Sequence, residues 1–178
     1  ESNLYHLHQE LRNKNIINVI PVLGSVTDFE LIKNLFNQYN IDIVFHAAAY
    51  KHVPLVELNP LEGIYNNVRS TFIISSVAYQ ANIKQVVLVS TDKAVRPTNV
   101  MGASKRLAEL IIQAFAHKVK YDTQNKYKVN TKFSLVRFGN VLGSSGSVVP
   151  LFRKQIKSGG PITVTDKNII RYFMTISE

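Results

Sequence analysis

The sequence predicts an α/β protein built on a parallel sheet with helices packed on its faces. Two observations carry this. Short β-branched runs such as NVIPVL (18–23) and QVVLVS (85–90) alternate with longer stretches of helical period. The segment richest in chemical groups, Ser90-Thr91-Asp92-Lys93, lies at the carboxyl end of one of those apolar runs, where open parallel sheets bind ligands.

Each element follows from its own pattern. Residues 3–14 have a helical period, and 18–23 read as a strand. Residues 28–39 read as a helix opened by Asp28, whose carboxylate suits the free amides of a first turn. A second strand is expected at 42–48 (DIVFHAA), a long helix at about 60–81, a buried strand at 85–90, a helix at about 99–119 and a strand at 132–138 (KFSLVRF). The lysine- and tyrosine-rich stretch 118–132 is polar and unpatterned, which predicts a surface connection. From Gly139 the pattern changes to a Gly/Ser loop (139–147), a short helix near Val148, a Gly159-Gly160-Pro161 turn and a strand-like ITVT (162–165).

Composition narrows the function classes. The chain has 178 residues, 46% of them hydrophobic, which suits one compact soluble domain without internal repeats or linkers. It contains no cysteine, so disulfides, thiolate nucleophiles and thiolate-bound metals are excluded, and a reducing compartment fits. No apolar run approaches the roughly 18–20 residues of a membrane span. The formal charge is +9, yet the basic residues are scattered, as in Lys118, Lys120, Lys126, Lys128 and Lys132, with no basic helix interleaved with aromatics. A solvated surface is expected, and no nucleic-acid partner. His46 and His52 lack a third ligand at useful spacing, so no metal is expected; His46 reads as a hydrogen-bonded strand residue.

The alternation is that of a Rossmann-like doubly wound sheet, but the usual opening of such a domain (strand, glycine-rich turn, helix, acidic residue) is not matched. The expectation is a single domain fragment, 1–178, truncated at both ends, with the first strands and glycine-rich loop absent. In the strand order 3-2-1-4-5-6 the missing strands would sit between 18–23 and 42–48.

Ser90-Thr91-Asp92-Lys93 is followed by Pro97-Thr98-Asn99 and Met101-Gly102-Ala103-Ser104-Lys105. The whole segment, STDKAVRPTNVMGASK, resembles the active-site segment of the extended short-chain dehydrogenase/reductase superfamily. Within it, the sequence is similar to the UDP-N-acetylglucosamine 4,6-dehydratases of polysaccharide biosynthesis. HAAAYKHVPLVELNPLEGIYNNV (46–68), RFGNVLGSSGSVVPLF (137–152) and RYFMT extend the likeness over nearly the whole chain.

The superfamily's usual pair is Tyr-x-x-x-Lys, two groups one helical turn apart, the lysine charge lowering the phenol's pKa. Here the tyrosine position holds Met101, whose thioether has no proton to exchange. Either the site is inactive, or the base has moved to Thr91, Asp92 or a water they hold. The resemblance favours the second, since the larger membrane-anchored dehydratases also carry methionine there.

The reaction implied by the resemblance is oxidation at C4 by NAD or NADP, loss of water across C5 and C6, and hydride return. Asp92 would be the acid if burial keeps it protonated, and Lys93 the base if the same dry pocket depresses its pKa; because each opposes the other, they should titrate as a coupled pair. By resemblance Lys105 donates to the nicotinamide ribose, and Ala47, Ala48 and Ala49 lie against the cofactor's ribose and phosphates. Val26 lines the adenine pocket, while Asn67 and Ser90 steady the strand ends beside the cofactor. For the UDP-sugar, Lys51 and His52 begin a loop over the pocket, Asn140 and the 144–147 loop ending in Ser147 face it, and Arg171 meets the diphosphate. Residues 139–178 would begin the substrate-binding region. The resemblance further implies a homo-oligomer in the intact protein and a cytoplasmic location, with a possible tether to the inner membrane through segments outside this chain. The rival readings are a nucleotide-sugar 4-epimerase or reductase of the same fold and a non-catalytic cofactor-binding module.

Overall fold

The computed structural model describes residues 1–121, 128–143, 148–164, 166–175 and 177. Three parallel strands, β1 (Ile43–His46), β2 (Gln85–Thr91) and β3 (Lys132–Phe138), lie side by side in that order. A second small parallel pair joins β4 (Asn140–Val141) to β5 (Phe173–Met174). The helices are α1 (Ser2–Asn13), α2 (Phe29–Gln38), α3 (Val53–Leu58), α4 (Pro60–Ile64), α5 (Ser70–Gln80), α6 (Val100–Tyr121) and α7 (Val148–Lys157).

Alternation along the strands explains the layering. Val44, Val86, Leu88, Phe133 and Leu135 point to one face, where they meet Ile32 of α2, Ile73, Ile74 and Val77 of α5, and Ala108 and Ile112 of α6 in one core. Residues of opposite parity, such as Phe45 and Val136, are exposed on the other face. Asp28 caps α2 as expected, its carboxylate accepting from the Leu31 amide at 3.0 Å. The long helix at 60–80 is broken into α4 and α5 by a π-helical turn, Tyr65–Arg69, which aims Asn67 into the interior.

Two expected strands do not form. NVIPVL is unpaired, with Ile20, Val22 and Leu23 exposed, because among the described residues no neighbouring strand offers it hydrogen-bonding partners. Residues 162–164 of ITVT are likewise outside any strand; the strand that pairs near the Gly/Ser loop is Phe173–Met174, within the RYFMT segment. The connection expected at 118–132 begins later, since α6 runs to Tyr121; residues 122–127 lie outside the described residues. No described helix is long and apolar enough to cross a membrane.

His46 is the strand residue its pattern suggested: buried, its Nε2 is 3.0 Å from the Thr71 hydroxyl. Burial, aided by the Lys105 charge, lowers its pKa from 6.5 to about 4. The folded state therefore resists a proton that the unfolded chain accepts, and stability should fall as pH drops from 6.5 towards 4. We expect a loss of roughly 2 kcal/mol across the upper part of that window, absent in His46→Gln. Urea midpoints at about pH 7 and 5 in the full-length protein and the variant check this; equal slopes would refute it.

Candidate active site

At the carboxyl ends of β1, β2 and β3 the chain leaves an open cleft of about 910 Å³. Its wall includes Ala47 and Ala49 after β1, Thr91 and Lys93 after β2, Met101 and Lys105 on α6, and Asn140 after β3. Parallel strands end together on one edge, so residues far apart in sequence converge there.

The beginning of α6 sets the geometry. Asn99 caps it, its Oδ1 accepting from the Gly102 amide at 2.8 Å, and a Glu57 carboxylate oxygen from α3 accepts from the Val100 amide. Gly102 lets the helix abut the short 3₁₀ turn Asp92–Ala94: a Cβ there would stand 2.3 Å from the Lys93 carbonyl oxygen. Met101 and Lys105, one turn apart, are thereby drawn inside, 3% and 6% exposed.

Lys105 Nζ donates to the Val89 carbonyl at 2.8 Å. Burial lowers its pKa from 10.5 to about 8, against the opposing charge of Glu109. An ammonium has three donors, and this one meets a single described acceptor at the cleft wall, so it can donate to the oxygens of a ligand, the ribose hydroxyls implied by the resemblance among them. The small residues Ala47 and Ala49 on the wall leave room for a flat ring beside it. The described residues thus fit the nicotinamide-ribose half of a dinucleotide.

Thr91, Asp92 and Lys93 form a connected turn. The Thr91 hydroxyl accepts from the Lys93 amide at 3.3 Å and donates to Asp92 Oδ1 at 2.9 Å, and Lys93 Nζ donates to the same oxygen at 3.0 Å. Thr91 and Lys93 line the cleft; Asp92 does not, and its side chain is 51% exposed. Partial burial pushes the Asp92 carboxyl up, but the hydrogen bonds from Lys93 and Thr91 and the Lys93 charge outweigh it, leaving the pKa below the ordinary aspartate value. The condition on which Asp92 would be the acid, a carboxyl kept protonated by burial, is therefore not met in this turn: an adjacent ammonium costs less to keep beside a carboxylate than beside a neutral acid.

The remaining expectations divide. Lys51, His52, Asn140 and Arg171 line the cleft, with the Asn140 amide donating to the Tyr172 carbonyl at 3.3 Å. Ser147 lies outside the described residues. Val26 packs against the hydrophobic core, and neither it nor Ala48 is on the cleft wall. Asn67 acts from behind: fully buried, its side-chain amide accepts from the Tyr50 amide at 2.7 Å and donates to the Tyr50 carbonyl at 3.0 Å and the Ser104 hydroxyl at 2.9 Å, pinning the loop that carries Lys51 and His52. Ser90 turns its hydroxyl inward to Glu109 at 2.7 Å. Among the described residues no cluster of potential metal ligands occurs.

Glu109 was missed. Its side chain is fully buried and accepts from Ser90, Arg106 and Arg137. The available signal was its spacing: position 109 is one turn beyond Lys105 on the helix face that also buries Ala108 and Ile112.

Known proteins are similar in sequence and share this architecture. The family model described as polysaccharide biosynthesis protein matches residues 1–178. The chain is 47% identical to the capsular polysaccharide biosynthesis protein CapD of Staphylococcus aureus, over 100% of this chain and 28% of that protein. It is 39% identical to the UDP-glucose 4-epimerase of Rickettsia canadensis, over 86% of this chain and 42% of the relative. Among solved structures, Pen from Bacillus thuringiensis superposes with a TM-score of 0.87 at 38% identity, covering 99% of this chain and 52% of Pen. The same fold, at 21% identity and a TM-score of 0.74 over 92% of this chain and 54% of the other, is found in the dTDP-glucose 4,6-dehydratase DesIV of Streptomyces venezuelae, solved with NAD and TYD bound. The chain thus spans about half or less of the length of each of these proteins. A full-length family match, carried on a parallel sheet whose strand ends and α6 enclose a lysine-bearing cleft, shows that this chain belongs to the polysaccharide biosynthesis protein family of the extended short-chain dehydrogenase/reductase superfamily.

Proposed function

We propose that the full-length protein is a nucleotide-sugar 4,6-dehydratase acting on UDP-N-acetylglucosamine with NAD or NADP. The observation that carries this reading is Met101: it holds the position of the usual tyrosine, one turn from buried Lys105, while Thr91 and Lys93 supply exchangeable protons to the same cleft. Bound nicotinamide dinucleotide would supply a hydride acceptor for C4 and a hydride donor for C6.

Within that cleft Lys105 would hold the ribose hydroxyls, and Ala47 and Ala49 would leave space for the ring. Thr91, hydrogen-bonded to Asp92, takes the C4 hydroxyl proton in place of a phenol and passes its own through the half-exposed Asp92 carboxylate to solvent, from which one proton returns to C5 when hydride would return to C6. Elimination breaks the C5–H and C6–O bonds, forms the C5–C6 double bond and releases water. Lys93 lines the cleft with Asp92 hydrogen-bonded behind it, so the proton taken from C5 and the proton delivered to the departing hydroxide both pass through the Lys93 amine, which leaves the pair's joint proton count unchanged. Lys51, His52, Asn140 and Arg171, with residues 139–178 as the start of the substrate region, face the UDP-sugar.

The likeness to a UDP-glucose 4-epimerase favours a second reading, oxidation and reduction at C4 alone. One incubation separates them. The full-length protein with UDP-N-acetylglucosamine and added cofactor should yield a product lighter by one water, with the alkaline absorbance of a 4-keto sugar. A product of unchanged mass and inverted C4 would replace the dehydratase reading, and no product at all would leave a non-catalytic binding module.

A further inference from the structure

One buried carboxylate connects three of the segments that carry the cleft, β2, β3 and α6. Glu109 Oε1 accepts from Ser90 Oγ at 2.7 Å and Arg137 Nε at 2.8 Å; Oε2 accepts from Arg137 Nη2 at 2.6 Å and Arg106 Nη1 at 2.8 Å. Both oxygens are saturated, and Arg137 holds them as a two-pronged fork. Ser90 and Arg137 are register partners on β2 and β3. Immediately beyond them the strands run into Thr91 and Lys93 on one side and Phe138, Gly139 and Asn140 on the other, all on the cleft wall. Glu109 itself sits one helical turn beyond Lys105.

We propose that Glu109, clamped by Arg137 and Ser90, is a positioning residue of the dehydration reaction, holding the ends of β2 and β3 in register with Lys105 on α6. This inference rests on the dehydratase reading. A carboxylate serving the fold alone would need no relation to the cleft, and a buried ion pair is by itself weak evidence for stability. Here the three tethered segments each end in a cleft residue.

The position also gives Glu109 an electrical role. Burial pushes its carboxyl up, but hydrogen bonds from Arg137, Ser90 and Arg106 more than offset this and bring its pKa to about 2, so it stays charged. That charge opposes the burial that lowers Lys105. The other charged or titratable groups around Lys105 are His46 on β1, Lys93 and Asp92 on the turn after β2, Arg137 on β3, Arg106 on α6, and Lys51 and His52 on the cleft loop. Most are cationic or neutral, so removing the Glu109 charge leaves Lys105 harder to protonate.

The test uses the full-length protein as wild type, Glu109→Gln, Glu109→Asp and Arg137→Lys. NAD+ and NADP+ are titrated separately from about pH 6 to 9.5, kcat and KM for UDP-N-acetylglucosamine are measured over the same range, and near-ultraviolet circular dichroism reports folding. Glu109→Gln should bring the alkaline loss of cofactor binding to lower pH and cut kcat by about tenfold or more, with little change in KM. Glu109→Asp should restore the pH midpoint but not the full kcat, because its charge is kept and its reach shortened. Arg137→Lys keeps charge and loses the fork, so it should lower kcat without moving the midpoint.

Wild-type kcat and midpoint in folded Glu109→Gln would overturn the proposal. If that variant does not fold, wild-type kcat in both Glu109→Asp and Arg137→Lys overturns it equally. A wild-type protein that binds neither cofactor and turns nothing over would instead bring down the dehydratase reading, and this inference with it.

Discussion

Replacing Lys93 with methionine should abolish release of water from the sugar while leaving cofactor binding intact. Methionine matches the lysine stem in length but has no ammonium, so the cleft wall keeps its shape and loses a proton carrier. A group that moves a proton in the transition state contributes typically 10² to 10⁴ in rate, and kcat should fall by about that much. Lys93 Nζ is hydrogen-bonded to Asp92, not to the Val89 carbonyl that marks the Lys105 corner, so the ribose end of the site is untouched. Asp92 loses the partner that does most to lower its pKa, and its carboxyl should titrate higher in the variant. Mass spectrometry of the sugar product, alongside an NAD+ titration, checks both halves. Undiminished dehydration by the variant would remove Lys93 from the mechanism, whatever the cofactor affinity.

Gly102→Ala should impair catalysis through one methyl group. Its Cβ would fall 2.3 Å from the Lys93 carbonyl oxygen and 3.2 Å from Asn99 Oδ1, and the first of these is backbone that cannot swing aside. Ala94, at the end of that turn, is fully buried, so the turn has little freedom to retreat. The start of α6 must move instead, carrying Met101 and Lys105 away from Thr91 and Lys93. Forcing a methyl into such a contact costs about 1 to 3 kcal/mol, which a melting curve reads directly. Displacing catalytic groups by about 1 Å costs on the order of 10²-fold in rate, so kcat should fall well beyond the loss of folded protein. A folded variant with unaltered kcat would show that the approach of α6 to the 92–94 turn is incidental to the chemistry.

Sequence and structure agree most closely where the signal is local. The strand at 85–90 was legible because buried parallel strands are continuously apolar, that at 132–138 because Phe133 and Leu135 alternate with polar Lys132 and Ser134, and α2 because Asp28 must satisfy free amides whatever surrounds it. Met101 and Lys105 could be paired from their spacing alone, since i and i+4 share a helix face in any α-helix. NVIPVL misled because β-propensity describes a willingness to pair, and pairing needs a partner that propensity does not contain. ITVT misled in the same way.

The residues themselves determined the order of helices and strands, the chemical inventory at the end of β2 and the substitution of a thioether for a phenol, because each depends only on neighbours within a turn or a strand. Tertiary structure alone decided that Lys93 is on the cleft wall while Asp92 is not, that Asn67 holds the Tyr50 backbone, and that Glu109 ties β2, β3 and α6 together. The last two are contacts between segments 17 to 28 residues apart, and the first separates two adjacent residues by their access to the cleft. No period along the chain encodes them; they exist only once parallel strands end side by side and a buried charge must find its partners there.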